Sequence, residues 1–114
     1  MNPVVLKRFE QPDEVRRFEK CKIELVRIGG MTIRRASHES GWKWTTHVAP
    51  VIGMPSCQVE HVGLVLSGRA RVVMDDGEQF EIGAGDLFHI RRGHDSWVIG
   101  DECFVLLDFL GADA

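Results

Sequence analysis

The chain is predicted to be an all-β protein, an antiparallel sandwich or barrel, on three observations. From Ile23 onward the apolar residues come in short runs of four to eight. Glycine- and aspartate-rich punctuation cuts these runs, including Gly29-Gly30, Asp75-Asp76-Gly77 and Gly83-Ala84-Gly85-Asp86. Asp-Gly and Ser-Gly pairs are specific hairpin signals, and many strands at this spacing indicate an antiparallel fold.

In chain order, KIELVRI is a strand stopped by Gly29-Gly30, and MTIRRA is another, with Met31 and Ile33 two apart. GWKWTTHV is aromatic and β-branched and is expected to be extended. HVGLVL ends at Ser67-Gly68, RARVVM at Asp75-Asp76-Gly77, EQFEI at Gly83 and LFHI at Arg91-Arg92-Gly93. SWVI and CFVLLDFL complete the set. The first 20 residues carry the helix signal. Pro12 suits a first helical position, Asp13 and Glu14 complement the dipole, and Val15 and Phe18 fall three apart. A short N-terminal helix lying on the outside of a sheet is expected there.

At 114 residues the chain has room for one domain, 1–114, without repeats, low-complexity tracts or linkers. A formal charge of −3 argues against nucleic-acid or acidic-membrane partners, which need a basic surface. No apolar run reaches the ~20 residues of a spanning helix, and the opening MNPVVLKRFEQPDE lacks a signal peptide's apolar core. A cytoplasmic protein is expected. Three cysteines at irregular spacing, Cys21, Cys57 and Cys103, are no disulfide framework. Cys103, inside ECFVLLDFL, is expected to be a small buried hydrophobe.

Cys57 stands apart because of its neighbours. His47 is followed by nine residues and Cys57, then three residues and His61, then thirty-two and His94. Imidazole and thiolate are the ligands that borderline-soft divalent metals take. On one straight strand Cys57 and His61 would stand ~13 Å apart at ~3.3 Å per residue, so the chain must turn or bulge at Gln58-Val59-Glu60 for both to hold one ion.

The segments GHVxxVLSGRARV-like and GAGDLFHIRRGH-like resemble the two short motifs of the cupin superfamily. Cys57 falls where that family's second motif histidine usually stands, and His61 where its glutamate stands. Gly68 closes the first motif. In the second, Arg91 replaces the usual proline, and Ser96 holds the usual histidine position with His94 two residues earlier. Residues two apart on a strand share a face, so His94 can take the ligand role. His47 supplies an earlier histidine if 48–56 is an insertion. GWxWxxHVxP, SCQxxHxG and GHDxW are also similar to a group of small bacterial cupins of largely unknown function.

The resemblance covers about 40–109, with 1–39 as an N-terminal addition. It implies a double-stranded β-helix, or jelly-roll barrel, and a metal on His47, Cys57, His61 and His94. The thiolate favours zinc, although iron, nickel, copper and manganese are compatible with the spacing. The resemblance names no reaction; the function expected is a metal-binding module that holds a small molecule in the barrel, with a sensory or regulatory role. The alternative is a metal-dependent enzyme, a dioxygenase or isomerase.

Alternation assigns the other polar residues. His61, Gly63 and Val65 face inward, while His89, Glu60 and Asp95 face outward. His38, in ASHES before Gly41, is expected in a turn, and Arg34, Arg35, Arg69 and Arg71 on solvated strand faces. If His47 points inward, Trp42 and Trp44 point outward and offer an apolar patch for a second copy, so a homodimer is expected.

Overall fold

The computed structural model describes residues 3–113. Nine strands and two short helices are formed: β1 (Glu14–Phe18), β2 (Cys21–Ile28), β3 (Met31–His38), α1 (Trp44–His47), α2 (Ala49–Ile52), β4 (His61–Ser67), β5 (Arg69–Met74), β6 (Gln79–Gly83), β7 (Leu87–Ile90), β8 (His94–Ile99) and β9 (Phe104–Leu110). They build a six-stranded sheet, β1-β2-β3-β9-β4-β7, and a three-stranded sheet, β6-β5-β8. Every strand pair is antiparallel. Leu25, Ala36, Val65 and Leu106 of the larger sheet share one core with Ala70 and Val98 of the smaller. The fold is the antiparallel β architecture expected from the turn spacing, in the jelly-roll form implied by the cupin resemblance. Among the described residues no helix is long and apolar enough to cross a membrane.

The N-terminal helix is not there. Residues 14–18 are strand β1, paired with β2 in the register Glu14↔Leu25 to Phe18↔Cys21. Glu14, Arg16 and Phe18 are half-buried while Val15 and Arg17 are exposed, a period of two and not of 3.6. A helix this short cannot offset its own nucleation, whereas the edge of KIELVRI offers a full ladder two residues away. Lys20, in the left-handed region at φ 59°, makes the tight turn. The preceding segment straps the outer face of the sheet. Phe9 lies under the Arg35 guanidinium at 5.1 Å, and Arg35 pairs with buried Glu24 at 2.9 Å and Glu10 at 3.0 Å.

GWKWTTHV is not a strand either. It makes one bridge, Lys43 to Trp97, and then coils into α1 and α2. Trp42 and Trp44 are buried, 4% and 8% exposed, and Lys43 lies over the Trp97 ring at 5.0 Å. Alternation thus holds across 42–44 with the opposite sense to that expected, because His47 is helical and fixes no strand parity. The outward tryptophan patch that suggested a homodimer does not exist. Cys103 is exposed, another departure from expectation. The core there is filled by Phe104 instead, one residue on.

Gly63 explains how β4 and β9 approach so closely. A Cβ there would run into the Leu107 carbonyl oxygen and lie 2.6 Å from the Phe88 ring. Both obstacles are a sheet backbone and a packed aromatic ring, neither free to yield. Gly63→Ala is expected to destabilise by about 3 kcal/mol, read as a lower urea midpoint. An unchanged midpoint would mean that the strands can separate without loss.

Candidate metal centre

The site forms where Cys57, His61 and His94 meet. His61 opens β4, His94 opens β8, and Cys57 sits in the loop between α2 and β4. The turn that the spacing required is made by pairing that loop with β8. Cys57 and His94 form an isolated antiparallel bridge. The Cys57 N–H donates to the His94 carbonyl at 2.7 Å, and the Cys57 carbonyl accepts from Gly93 at 2.7 Å and His94 at 3.2 Å. Gly93, at φ 85°, supplies the left-handed turn that places His94. Ser56 and Gln58 hold the loop from either side: Ser56 donates to Asp75 at 3.2 Å and accepts from Gln58 at 2.8 Å.

One ligating atom from each of the three residues lies within 4.8 Å of the others. Cys57 Sγ is 3.7 Å from His61 Nε2. A tetrahedral ion with metal–sulfur and metal–nitrogen bonds of ~2.3 and ~2.05 Å needs about 3.6 Å between those atoms, so the donor set fits such an ion. The other nitrogens are already occupied. His94 Nδ1 donates to the Arg91 carbonyl at 2.9 Å, leaving Nε2 as its ligand atom. His61 Nδ1 faces Asp108 Oδ1 at 3.5 Å. The Arg34 guanidinium lies 3.4 Å from the same nitrogen. Two N–H donors cannot satisfy one another, so Nδ1–H pairs with the carboxylate. Arg34 in turn donates to Asp108 Oδ2 through Nε at 2.9 Å and Nη2 at 2.7 Å. A carboxylate behind a ligating histidine fixes its ring and tautomer.

Burial opposes charge on both Cys57 and His61, but their partners outweigh it. Hydrogen bonds to His61 and then His94 bring the Cys57 thiol down to about 6. Asp108 and then Cys57 raise His61 to about 9. Asp108 is itself desolvated, yet His61 and Arg34 hold it below the usual carboxylate range. Without metal the pair is therefore thiolate and imidazolium between pH 6 and 9. The sign follows: Cys57, lowered on folding, loses its stabilising contribution as pH falls through 6, and His61, raised, loses its own as pH rises through 9. In chelator-treated protein the thiolate absorbance at 240 nm is expected to disappear through about pH 6, and Cys57→Ser to abolish that step. A step first seen above pH 8 would disprove the pairing. Cys21, pushed by burial up to about 12, does not interfere.

His47, the fourth expected ligand, lies outside this group. Its Nδ1 accepts from the Lys43 N–H at 3.0 Å and its Nε2 lies 4.0 Å from Glu19. On α1 its side chain follows the helix and not an inward strand face. His38 is also not a turn residue. It ends β3, buried, and lines the cavity beside the site. His89 faces outward as expected, 2.7 Å from Glu60, and Asp95 holds Thr45 by its N–H at 3.1 Å and hydroxyl at 2.9 Å. Arg69 and Arg71 lie on the outer face with Glu81. Arg34 departs from the solvated set, being largely covered where it pairs with Asp108. Asp108 was not anticipated, although a lone carboxylate inside the apolar run CFVLLDFL is a signal for it.

The three residues open onto a cavity of about 380 Å³ between the sheets. Trp42, Trp44, Phe18, Phe88 and Phe104 line it, together with Val48, Ile52 and Met54 of the segment that carries the two helices.

The profile of the EutQ-like cupin domain matches residues 55–103, the stretch containing Cys57, His61 and His94. A cupin-2 domain from Rhodospirillum rubrum superposes with a TM-score of 0.57 at 15% identity, over 92% of this chain and 65% of that one. The chain thus has the cupin fold, with a cupin family match over 55–103. It is also similar to the oxalate decarboxylase of Lactobacillus farciminis, solved as a formate complex, with a TM-score of 0.61 and 19% identity over 86% of this chain and 30% of that one. A protein of unknown function from Rhizobium leguminosarum bv. viciae 3841 gives 0.56 and 21%, over 78% of each chain. At such identities the likeness is one of fold. No curated protein matches the sequence.

Proposed function

We propose that this cupin binds one divalent transition-metal ion on Cys57, His61 and His94, and that the ion faces a cavity holding a small molecule, in a sensory or regulatory role. The observation that carries it is the convergence of three ligating atoms within 4.8 Å at the wall of that cavity. Zinc is the ion proposed, because thiolate with imidazole is a borderline-soft donor set. Elemental analysis of the purified protein tests this, with about one ion per chain expected. Protein that binds no zinc, iron, nickel, copper or manganese even after reconstitution would refute it.

One feature favours a second function, a metal-dependent enzyme. Three protein ligands leave a position for water or substrate, as catalytic sites do, whereas four close it. Against this, the cavity's carboxylate, Asp108, is engaged by Arg34 and His61, so among the described residues no free carboxylate lines the cavity. A cobalt-substituted protein separates the two. Small anions and thiols are expected to change its visible spectrum by entering the open position. Substrate turnover would then be required before assigning catalysis, and a spectrum indifferent to added ligands would exclude it.

A further inference from the structure

The cavity has a second polar point, away from the metal ligands. His38 Nδ1 and Trp42 Nε1 are buried and without a hydrogen-bond partner among the described residues. They belong to one cluster: the two rings lie 4.0 Å apart, tilted by 39°, and Phe104 stacks on His38 from 5.9 Å. Both rings line the cavity. Buried polar groups are nearly always satisfied, and each one left unpaired costs stability. Two unpaired together on a cavity wall mark a place where a bound molecule completes the bonding.

The surroundings restrict that molecule. The wall beside His38 is made by Trp42, Phe104, Cys21 and Ala36, so it is apolar. Burial and the nearby Arg34 push His38 down to about 3, so it carries no charge at neutral pH. The two arginines that line the cavity are both committed: Arg34 to Asp108 and Arg16 to Glu14 at 2.6 Å. At this end of the cavity, away from the metal ligands, a carboxylate or phosphate would find no free countercharge, and a sugar would bring more hydroxyls than this wall can satisfy. We infer that the cavity takes an uncharged, planar aromatic molecule with a single hydroxyl group, which hydrogen-bonds His38 and Trp42 while its rings pack among the aromatic side chains. The hydroxyl accepts from the indole N–H and donates to the imidazole, and both rings turn to present their nitrogens, which are otherwise covered. This rests on the cavity being a ligand site, as proposed above, and not on the metal.

Three probes of one shape test it: 2-naphthol, naphthalene and 2-naphthoate, titrated into the full chain both as purified and after chelation. 2-Naphthol is expected to bind about tenfold more tightly than naphthalene, the factor that one satisfied pair of buried groups supplies, and, in the chelated protein, more tightly than 2-naphthoate. Of the three indole cross-peaks in an ¹⁵N–¹H spectrum, that of Trp42, assigned with Trp42→Phe, should shift with 2-naphthol and not with naphthalene. In His38→Leu the tenfold preference should shrink to within twofold, and the variant should melt no lower than wild type, since an unpaired polar group has been removed. Equal binding of naphthol and naphthalene, tighter binding of naphthoate to the chelated protein, an unmoved Trp42 indole or a lower melting point in His38→Leu would each overturn the inference. If His38→Leu fails to fold, it has failed the last of these. Chelated protein that keeps the naphthol preference separates this result from any failure of the metal assignment.

Discussion

His61→Ala is expected to lose nearly all bound metal while keeping its β-rich circular dichroism. Removing a partner behind a ligand already lowers metal affinity ten- to a hundred-fold, so removing the ligand should exceed about a hundred-fold. His61 is replaced at the mouth of β4, where a smaller side chain leaves the β4 ladders to β7 and β9 intact. Cys57→Ser should weaken zinc binding to a similar degree, since a hydroxyl is a far poorer ligand for a borderline-soft ion than a thiolate. Alanine at His89, which lies on the opposite face against Glu60, should change metal content little. Competition with a chromophoric chelator measures all three. Full occupancy in His61→Ala, or equal losses in His61→Ala and His89→Ala, would remove the site from these residues.

The largest effect on stability is expected at Asp108. Its carboxylate is almost wholly buried and receives two N–H bonds from Arg34, itself only 12% exposed at the side chain. Asp108→Ala leaves that guanidinium without a partner in an apolar wall. Breaking a buried pair from one side costs roughly 3–5 kcal/mol, which in a domain of this size lowers the melting temperature by on the order of 15 °C. The same change releases His61 Nδ1, so metal affinity should fall by about ten- to a hundred-fold. Replacing both partners, Arg34→Met with Asp108→Leu, should recover much of the stability and none of the metal affinity. Urea denaturation and chelator competition separate the two effects. A loss below about 1 kcal/mol in the single variant would mean that water reaches Arg34 and that the pair is not a buried one.

How much of this was legible in the residues depended on whether local and tertiary forces agreed. From β2 onward, turn chemistry and alternation point the same way, so the strands and the inward register of His61, Gly63 and Val65 followed from spacing. Outward placement of His89 and Glu60 came from the same parity. PDEVRRFEK failed because its helix signals are local, while the β2 edge that captures it comes later in the chain. Parity also misled at GWKWTTHV. Counting back from His47 assumes an unbroken strand, but the chain coils at Trp44 and carries His47 away from the cavity. Cys57 and His61 could be grouped only by supposing a turn, and the pairing of the Cys57 loop with His94 is a contact between residues 37 apart. Arg34 and Asp108 are 74 apart, and no short-range pattern relates them.

The place of β9 has a consequence for how the molecule comes into being. It is the last strand in chain order, yet it lies between β3 and β4 in the middle of the larger sheet. During synthesis β3 and β4 emerge first and must wait, each with an unpaired edge, for the strand that joins them. The same late segment brings Asp108 and, in Gly111, a residue whose missing side chain leaves room for the His61 ring. A nascent chain that stops short of it has Cys57, His61 and His94 in its sequence but neither the seam nor the carboxylate that sets the imidazole. Unpaired strand edges invite pairing with other chains. Emergence of β9, and not the appearance of the last metal ligand, is therefore the moment at which this barrel closes.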